Sequence, residues 1–276
     1  MIKILSPILF INLFIFSFVQ GNGQIDIALG TKNRMDNFKL VIENLNNTYN
    51  ASDLCLYIMD GNEHTQVSDF LLKNTWHFKS IKIWKDANVE IIRKNPGKWA
   101  VIYDFLIRQG SSEFVTYWSD DILLFKPNIF VKAVYRLKSS PDSGVAIFNF
   151  QLNRYAKFGI VLNDIGVISL NFGIMKRQAY IKAGGLDSNF KFFRADNDLT
   201  NKIFLKAKYK TIVNNDCKVV CITSQWKNPF SEKKHYKEDM DLFEKKWGKI
   251  TLKERKLRKN SISEVYPKNS KMSFLL

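Results

Sequence analysis

The hydrophobic and polar positions in the first half of the chain follow two alternating periods. Short apolar runs typical of buried strands are followed by segments whose apolar residues recur at i, i+3, i+4 and i+7, the spacing of one helix face. The pattern predicts strands over residues 25–30, 54–59, 80–84 and 113–118, with helices beginning near residues 36, 67 and 99. This alternation predicts an α/β fold with a mostly parallel, doubly wound sheet and helices on both faces.

Polar residues follow three of these predicted strands at the point where each strand ends. The polar segments are residues 31–34, 60–62 and 119–121. In open α/β sheets, ligands bind beyond the carboxyl ends of the strands. The sequence therefore predicts a binding site where the three segments meet.

The second half of the chain is less regular, and no Pro- or Ser-rich linker separates it from the first. We interpret residues 25–248 as one domain, because 46% hydrophobic residues suffice for a sizeable core. In this half the pattern predicts strands over 144–150, 168–175, 209–213 and 218–222. It predicts helices over 177–183 and from Asp196 to about 206. A last helix is predicted with four apolar residues on one face, namely Tyr236, Met240, Phe243 and Trp247.

Two adjacent carboxylates, Asp120 and Asp121, stand between apolar runs. Their mutual repulsion needs to be offset, and a hard divalent cation such as Mg²⁺ or Mn²⁺ prefers carboxylate oxygen. Asp is also common in turns, so a polar turn between two core segments is the alternative. The residue types alone leave both open.

The chain is strongly basic, with 42 Lys and Arg against 26 Asp and Glu and a net charge of +16. This surplus favours an anionic partner, such as nucleic acid, an acidic membrane surface or a phosphorylated ligand. No zinc-finger spacing, basic zipper or RNA-binding aromatic motif supports nucleic acid. Residues 249–276 carry eight Lys or Arg and two Glu, and we interpret them as a basic C-terminal tail, either solvated or bound to anionic lipid.

Residues 1–24 contain an apolar run that is short for a membrane span and ends in polar residues, which is typical of a signal peptide or an uncleaved membrane anchor. Either predicts a membrane-associated, secretory or cell-envelope protein, and a site on the cytoplasmic face stays open. Three cysteines, Cys55, Cys217 and Cys221, are too few for a disulfide scaffold, so we expect them to be mostly buried.

Taken in order, these segments resemble a family 2-type glycosyltransferase with the GT-A fold, from residue 25 to 222. Tyr117 to Asp121 lies where that family places its Asp-x-Asp metal motif. Other segments resemble named parts of the family pattern. They are residues 27–34 (the family's first strand and nucleotide-contacting loop), 57–62 (its second strand with the terminal Asp), 92–97 (its turn before the third helix), 184–187 (its Gly-Gly-Phe-Asp stretch) and 195–199 (its Glu-Asp motif).

The resemblance implies transfer of a sugar from a UDP- or GDP-sugar donor to a hydroxyl of a glycan, lipid or protein acceptor, with inversion and with Mn²⁺ or Mg²⁺. It implies Asp196 as general base and Asp121 as the metal ligand. The implied nucleotide-binding residues are Thr31, Asn33, Arg34, Asp60, Asn95 and Asp120. The implied contacts to donor or acceptor sugar are Gly185, Asp187 and Asp198.

The sequence departs from the family pattern at several positions, among them Asp104, where an Asn is common, and the region after Cys221, which lacks the late His ligand of some members. Ser119 stands where many members have the first Asp of Asp-x-Asp, and Ala195 replaces the usual Glu of Glu-Asp. These losses leave open a non-catalytic relative that binds carbohydrate or nucleotide-sugar. A nucleotidyltransferase is a further alternative, but residues 30–32 contain one Gly where that class has a Gly-rich loop.

Overall fold

The computed structural model describes residues 24–151, 159–161, 170–222, 230–248 and 273–275. The strands in these ranges are β1 (Ile25–Thr31), β2 (Leu54–Asp60), β3 (Ser80–Lys85), β4 (Phe114–Ser119), β5 (Ile122–Leu124), β6 (Ser143–Gln151), β7 (Gly159–Val161), β8 (Gly173–Lys176), β9 (Lys210–Cys221) and β10 (Ser273–Leu275). The helices are α1 (Met35–Asn46), α2 (Gln66–Leu72), α3 (Glu90–Arg93), α4 (Trp99–Arg108), α5 (Ile129–Ser139), α6 (Arg177–Ala183), α7 (Ala195–Leu205) and α8 (Phe230–Trp247).

The described strands form one sheet with the order β10-β7-β6-β8-β4-β1-β2-β3, and β9 pairs with both β6 and β5. Strands β4, β1, β2 and β3 are parallel neighbours. This half of the sheet confirms the parallel α/β arrangement that the first half of the sequence predicts.

The sheet as a whole is mixed, which corrects the expectation of a mostly parallel one. Strand β8 runs antiparallel to both of its neighbours, β4 and β6, and β5 is antiparallel to β9. Antiparallel partners need no helical crossover between them, so the strand–helix alternation of the first half does not extend here. The two strands predicted between residues 209 and 222 form the single strand β9, with a register shift opposite Phe148 and Asn149.

Helices cover both faces of the sheet, as predicted. The odd-numbered side chains of β1, such as Ile27 and Leu29, pack in one core cluster with α1, α2 and α5. Ala28 faces the other way, into a second cluster with α4, α6, α7 and Phe243 of α8. The three cysteines are buried, as expected.

The predicted signal peptide or anchor lies outside the described residues, apart from Gln24. Most of the predicted basic tail also lies outside them, but β10 within that tail pairs in parallel with β7. In the described part of the chain, no helix combines the length and apolar character needed to cross a membrane.

Candidate active site

The carboxyl ends of β1, β2 and β4 lie side by side. Thr31 at the end of β1 is in register with Asp60 at the end of β2, and Gly30 is in register with Ser119 at the end of β4. The parallel pairing therefore brings together the three polar segments that the sequence predicts at one site.

Asp120 and Asp121 follow β4 directly and share one cation, the guanidinium of Arg34. Its Nη1 lies 3.3 Å from Asp120 Oδ1 and 3.2 Å from Asp121 Oδ2. Thr31 donates its hydroxyl to Asp120 Oδ2 at 2.9 Å, and Ser119 donates to Asp121 Oδ1 at 2.5 Å. The two carboxylates are thus held in fixed positions by side chains from β1, β4 and the loop after β1.

Burial raises the pKa of Asp120 from its ordinary value to about 6. The Thr31 hydrogen bond and the Arg34 charge oppose this rise, whereas the neighbouring Asp121 adds to it. A carboxylate kept close to Asp121 in a largely buried place attracts a positive charge strongly.

The donor set at this pair fits a hard divalent cation of the Mg²⁺ type, which is usually held by one or two carboxylates while phosphates and waters complete its shell. Asp120 and Asp121 supply those two carboxylates. Among the described residues, no group of three or more His, Cys, Asp or Glu forms a cage for a metal. Arg34, with a half-exposed side chain, occupies the outer oxygens and competes with a cation for them.

A cleft of about 440 Å³ opens beside the ends of β1, β2 and β3. Its lining is polar, and it includes two lysines, Lys32 and Lys85, together with Asn33, Asn62, Asp86 and Asn88. The sequence interpretation missed Lys85 and Asp86 here. The signal was available, because Lys85 ends β3 and Asp86 follows it, just as Thr31 and Asp60 end β1 and β2.

Asp60 does not face this cleft as a free acceptor. It is fully buried, and its Oδ2 lies 2.6 Å from Lys85 Nζ. Its Oδ1 accepts from the backbone N–H of Asn62 at 3.0 Å and from the Asn62 side chain at 2.8 Å. Asp60 therefore orients Asn62 and Lys85, which line the cleft. Asn95, in the turn after α3, donates to the carbonyl of Ile91 and not to this cluster.

The second acidic group lies at the start of α7 and contains two unlike carboxylates. Asp198 is fully buried, and its Oδ1 lies 2.6 Å from Lys246 and 2.9 Å from the Trp247 indole nitrogen, with Lys202 3.0 Å from Oδ2. Asp196 is half-buried and accepts the backbone N–H of Asn197 at 2.9 Å. Within the described residues, Asp198 is thus an ion-paired residue and Asp196 has no ion pair.

Burial raises the pKa of Asp196, against the opposing effects of the Asn197 N–H and the Arg194 charge. A raised pKa makes the carboxylate a better proton acceptor near neutral pH. Asp196 is therefore a stronger base than an ordinary exposed aspartate.

Gly185 and Asp187 precede this group and support it. The Gly185 carbonyl accepts from Lys202 Nζ at 2.5 Å, and its backbone is left-handed with φ +71°. Asp187 Oδ2 lies 2.7 Å from Lys246 Nζ. Both residues are thus connected to Asp198 through lysines, and the side chain of Asp187 is partly exposed.

An aromatic cluster of Trp99, Tyr103 and Tyr117 lies between the two acidic groups. Ring centroids are 4.6 Å apart for Trp99 and Tyr103 and 5.0 Å apart for Trp99 and Tyr117. Burial, followed by the charge of Asp120, raises the pKa of Tyr103, whereas burial followed by the charge of Asp196 raises that of Tyr117. One cluster therefore has the β4 carboxylates on one side and Asp196 on the other.

The Tyr103 hydroxyl also joins two strands. It donates to the carbonyl of Trp118 in β4 at 2.9 Å and accepts the N–H of Gly30 in β1 at 3.3 Å. Helix α4 is thereby connected to both strands next to the Asp120 site.

Comparison with known proteins identifies the fold. No protein-family model matches the sequence, and no curated protein sequence matches it. Solved structures do match: TarS of S. aureus superposes with a TM-score of 0.61 at 14% identity over 87% of this chain. The mannosyltransferase PcManGT of Pyrobaculum calidifontis, solved with GDP-Man and Mn²⁺, superposes at 0.59 and 13% identity over 89% of this chain. The chain has the fold of nucleotide-sugar glycosyltransferases.

The match covers different shares of these proteins. The chain spans 42% of the full TarS chain, 73% of TarS 1–349 and 70% of PcManGT. TarS 1–349 has also been solved with UDP and with UDP-GlcNAc. At 12–14% identity, the likeness establishes the fold, and the activity has to be argued from the site.

Proposed function

We propose that this protein is a GT-A-type, family 2-like glycosyltransferase that moves a sugar from a nucleoside-diphosphate donor to an acceptor hydroxyl with inversion. The observation that carries the proposal is the placement of Asp196. Among the described residues it is the acid at the start of α7 that has no ion pair, and it lies close to the same aromatic cluster as the carboxylate pair that follows β4. A base facing a diphosphate site is the arrangement that this reaction needs.

The donor would lie at the carboxyl ends of β1 to β4. The polar cleft there takes the nucleoside, with Asn33, Asn62 and Lys85 offering hydrogen bonds to base and ribose. Lys32 and Arg34 lie between the cleft and Asp120, where they can form charge-assisted bonds to phosphate. Solved relatives in fold hold UDP-GlcNAc or GDP-Man, which supports a nucleotide-sugar as the ligand.

Asp121 and Asp120 would hold a divalent cation, Mn²⁺ or Mg²⁺, in this site. When bound, the cation neutralises charge on the departing diphosphate. Arg34 is then displaced from the two carboxylates and is left free for a phosphate oxygen. PcManGT was solved with Mn²⁺, which is consistent with this role.

Asp196 takes the proton of the acceptor hydroxyl as its oxygen attacks the anomeric carbon. The bond from that carbon to the diphosphate oxygen breaks, and its electron pair leaves with the diphosphate. A single displacement from the opposite face inverts the anomeric centre. Asp187 has a partly exposed carboxylate for a sugar hydroxyl, whereas Asp198 acts through Lys246 and Trp247.

The test replaces the base. In Asp196→Asn we expect transfer to fall by about 10²- to 10⁴-fold, the usual contribution of a positioned base. Affinity for UDP or GDP should stay within a few-fold, because the cleft and the β4 carboxylates are unchanged. The assay screens UDP- and GDP-sugars with Mn²⁺ and follows release of nucleotide.

The matched control is Asp216→Asn, the same change at an exposed position of β9, and it should keep full activity. Undiminished turnover in Asp196→Asn would remove Asp196 from the mechanism. A wild-type protein that turns over none of the donors but binds them would instead be the non-catalytic relative.

A further inference from the structure

The loop that leads to Asp196 is held by a carboxylate from another helix. Asp239 of α8 is 1% exposed. Its Oδ1 accepts the backbone N–H of Lys191 at 2.9 Å, and its Oδ2 accepts those of Phe192 at 2.9 Å and Phe193 at 2.7 Å. Three successive backbone N–H groups therefore converge on one buried side chain.

Helix α8 also contacts the residue that joins this loop to α7. Arg194 has a left-handed backbone with φ +63°, which an L residue other than Gly, Asn or Asp rarely adopts without support. Its Nε donates to the sulfur of Met240 at 2.9 Å, and its guanidinium lies 5.7 Å from the Phe243 ring centroid. Asp196 is two residues further along the chain.

One more turn of α8 binds the acids on both sides of Asp196. Lys246 pairs with Asp187 and Asp198 at 2.7 and 2.6 Å, and Trp247 donates to Asp198. The contacting positions 239, 243 and 246 recur at the spacing of one helix face. A single face of α8 thus contacts both ends and the middle of residues 187–198, and none of the ion pairs in the described part of the chain involves Asp196.

We propose that Asp239 is a positioning residue for the reaction, which it serves by fixing the loop that carries Asp196. This proposal rests on the proposed function, since it assigns Asp239 to the placement of that base. Displacement of a reacting group by about 1 Å can cost about 100-fold in rate. A carboxylate is suited to this task because it has two acceptor oxygens and no donor.

The decisive variant is Asp239→Asn, which keeps the shape of the side chain but turns an N–H₂ group toward backbone N–H groups. We expect kcat for transfer to fall at least tenfold, with the donor KM and the affinity for UDP or GDP within about twofold of wild type. The matched control is Asp241→Asn, the same change at an exposed position two residues along α8, and it should behave as wild type. A purely structural role would lower the folded fraction, and so the apparent kcat, at unchanged KM. We therefore express kcat per nucleotide-binding site, counted by titration with UDP or GDP, and a purely structural role would leave this value at that of the wild type.

A second variant covers the case in which Asp239→Asn does not fold. Lys246→Met removes the ion pairs of Asp187 and Asp198 with α8 but leaves Trp247 bonded to Asp198 and Lys202 to balance its charge, and the same fall in kcat with unchanged donor affinity is expected. Hydrogen exchange gives a readout independent of activity. The amides of residues 191–193 should be protected in the wild type and in Asp241→Asn and should lose protection in Asp239→Asn.

The outcomes separate this proposal from the proposed function. If Asp196→Asn abolishes transfer while Asp239→Asn and Lys246→Met match Asp241→Asn, the positioning role is overturned and the glycosyltransferase stands. If Asp196→Asn keeps full activity, the assigned base is wrong and the positioning role ends with it. Unprotected amides at 191–193 in the wild type would overturn the contact itself.

Discussion

At the residue scale, the acidic residues of the candidate site differ mainly in the side chains that they contact. Their neighbours in the sequence do not show this difference. Asp120 and Asp121 could be predicted as a pair because they are adjacent. That Asp198 has two ion pairs within the described structure and Asp196 none there could not be predicted, since Lys246 and Trp247 lie about fifty positions further along the chain. Local patterns contain no information on such partners.

The burial of Asp120 predicts that the stability of the folded protein depends on pH. The Asp120 pKa of about 6 in the folded protein is above the value of about 4 expected in the unfolded chain. Because the folded protein binds this proton more tightly than the unfolded chain does, proton binding at Asp120 stabilises the fold fully below pH 4. This contribution to the free energy of unfolding is lost as the pH rises from 4 through 6. A buried carboxylate whose charged form destabilises the fold is typical of functional sites.

We therefore expect Asp120→Asn to be more stable than the wild type at pH 7.5, by up to about 3 kcal/mol, and to have little advantage at pH 4. The measurement is the thermal midpoint of both proteins across this pH range. The same variant should bind Mn²⁺ with UDP or GDP more weakly. A wild-type stability that is flat between pH 4 and 7.5 would contradict the argument.

At the element scale, the first half of the fold could be predicted because each of its strands is a local apolar run bounded by polar residues. The sequence therefore located the ends of β1, β2 and β4, and with them the site. The second half depends on pairing between distant strands. β9 joins β6 to β5, and a single-sequence pattern does not show which edges will meet.

The turn between α6 and α7 gives a prediction with an internal control. Gly184 and Gly185 both have positive φ, +85° and +71°. A Cβ on Gly184 would meet nothing within 4 Å, whereas one on Gly185 would overlap the Asp104 carboxylate and lie 2.8 Å from Arg108 Nη2. Gly184→Ala should cost about 1 kcal/mol for its backbone alone.

Gly185→Ala should cost at least about 2 kcal/mol more than Gly184→Ala, because overpacking adds to the same backbone penalty. Urea unfolding of the two variants measures the difference directly. Equal losses would mean that the Asp104 and Arg108 side chains move aside freely. Transfer should fall further in Gly185→Ala, since residues 186–194 follow this turn.

At the scale of the whole molecule, the N-terminal half supplies the polar cleft and the β4 carboxylates, and the C-terminal half supplies Asp196, the proposed base. Helix α8, whose apolar face the sequence predicted, contributes through its polar residues Asp239 and Lys246 as well. These contacts join the last described helix to a loop some fifty residues earlier. That role follows from three-dimensional packing and not from the amphipathic pattern.

Ligand binding should be visible in the stability of the whole protein. A ligand at 100 times its Kd adds about 2.7 kcal/mol to the folded state, so UDP or GDP with Mn²⁺ should raise the thermal midpoint by several degrees. EDTA should remove most of this shift, and Asp121→Ala should show little of it. A shift of the same size with EDTA would exclude the cation from nucleotide binding.

The Tyr103 hydroxyl has one further consequence. Because it accepts from Gly30 and donates to Trp118, the tips of two neighbouring strands cannot splay apart without breaking contact with α4. The proposed diphosphate site is thus assembled when the chain folds, before any substrate arrives. Little conformational entropy remains to be lost on association, so affinity for the donor reflects the quality of the contacts it makes.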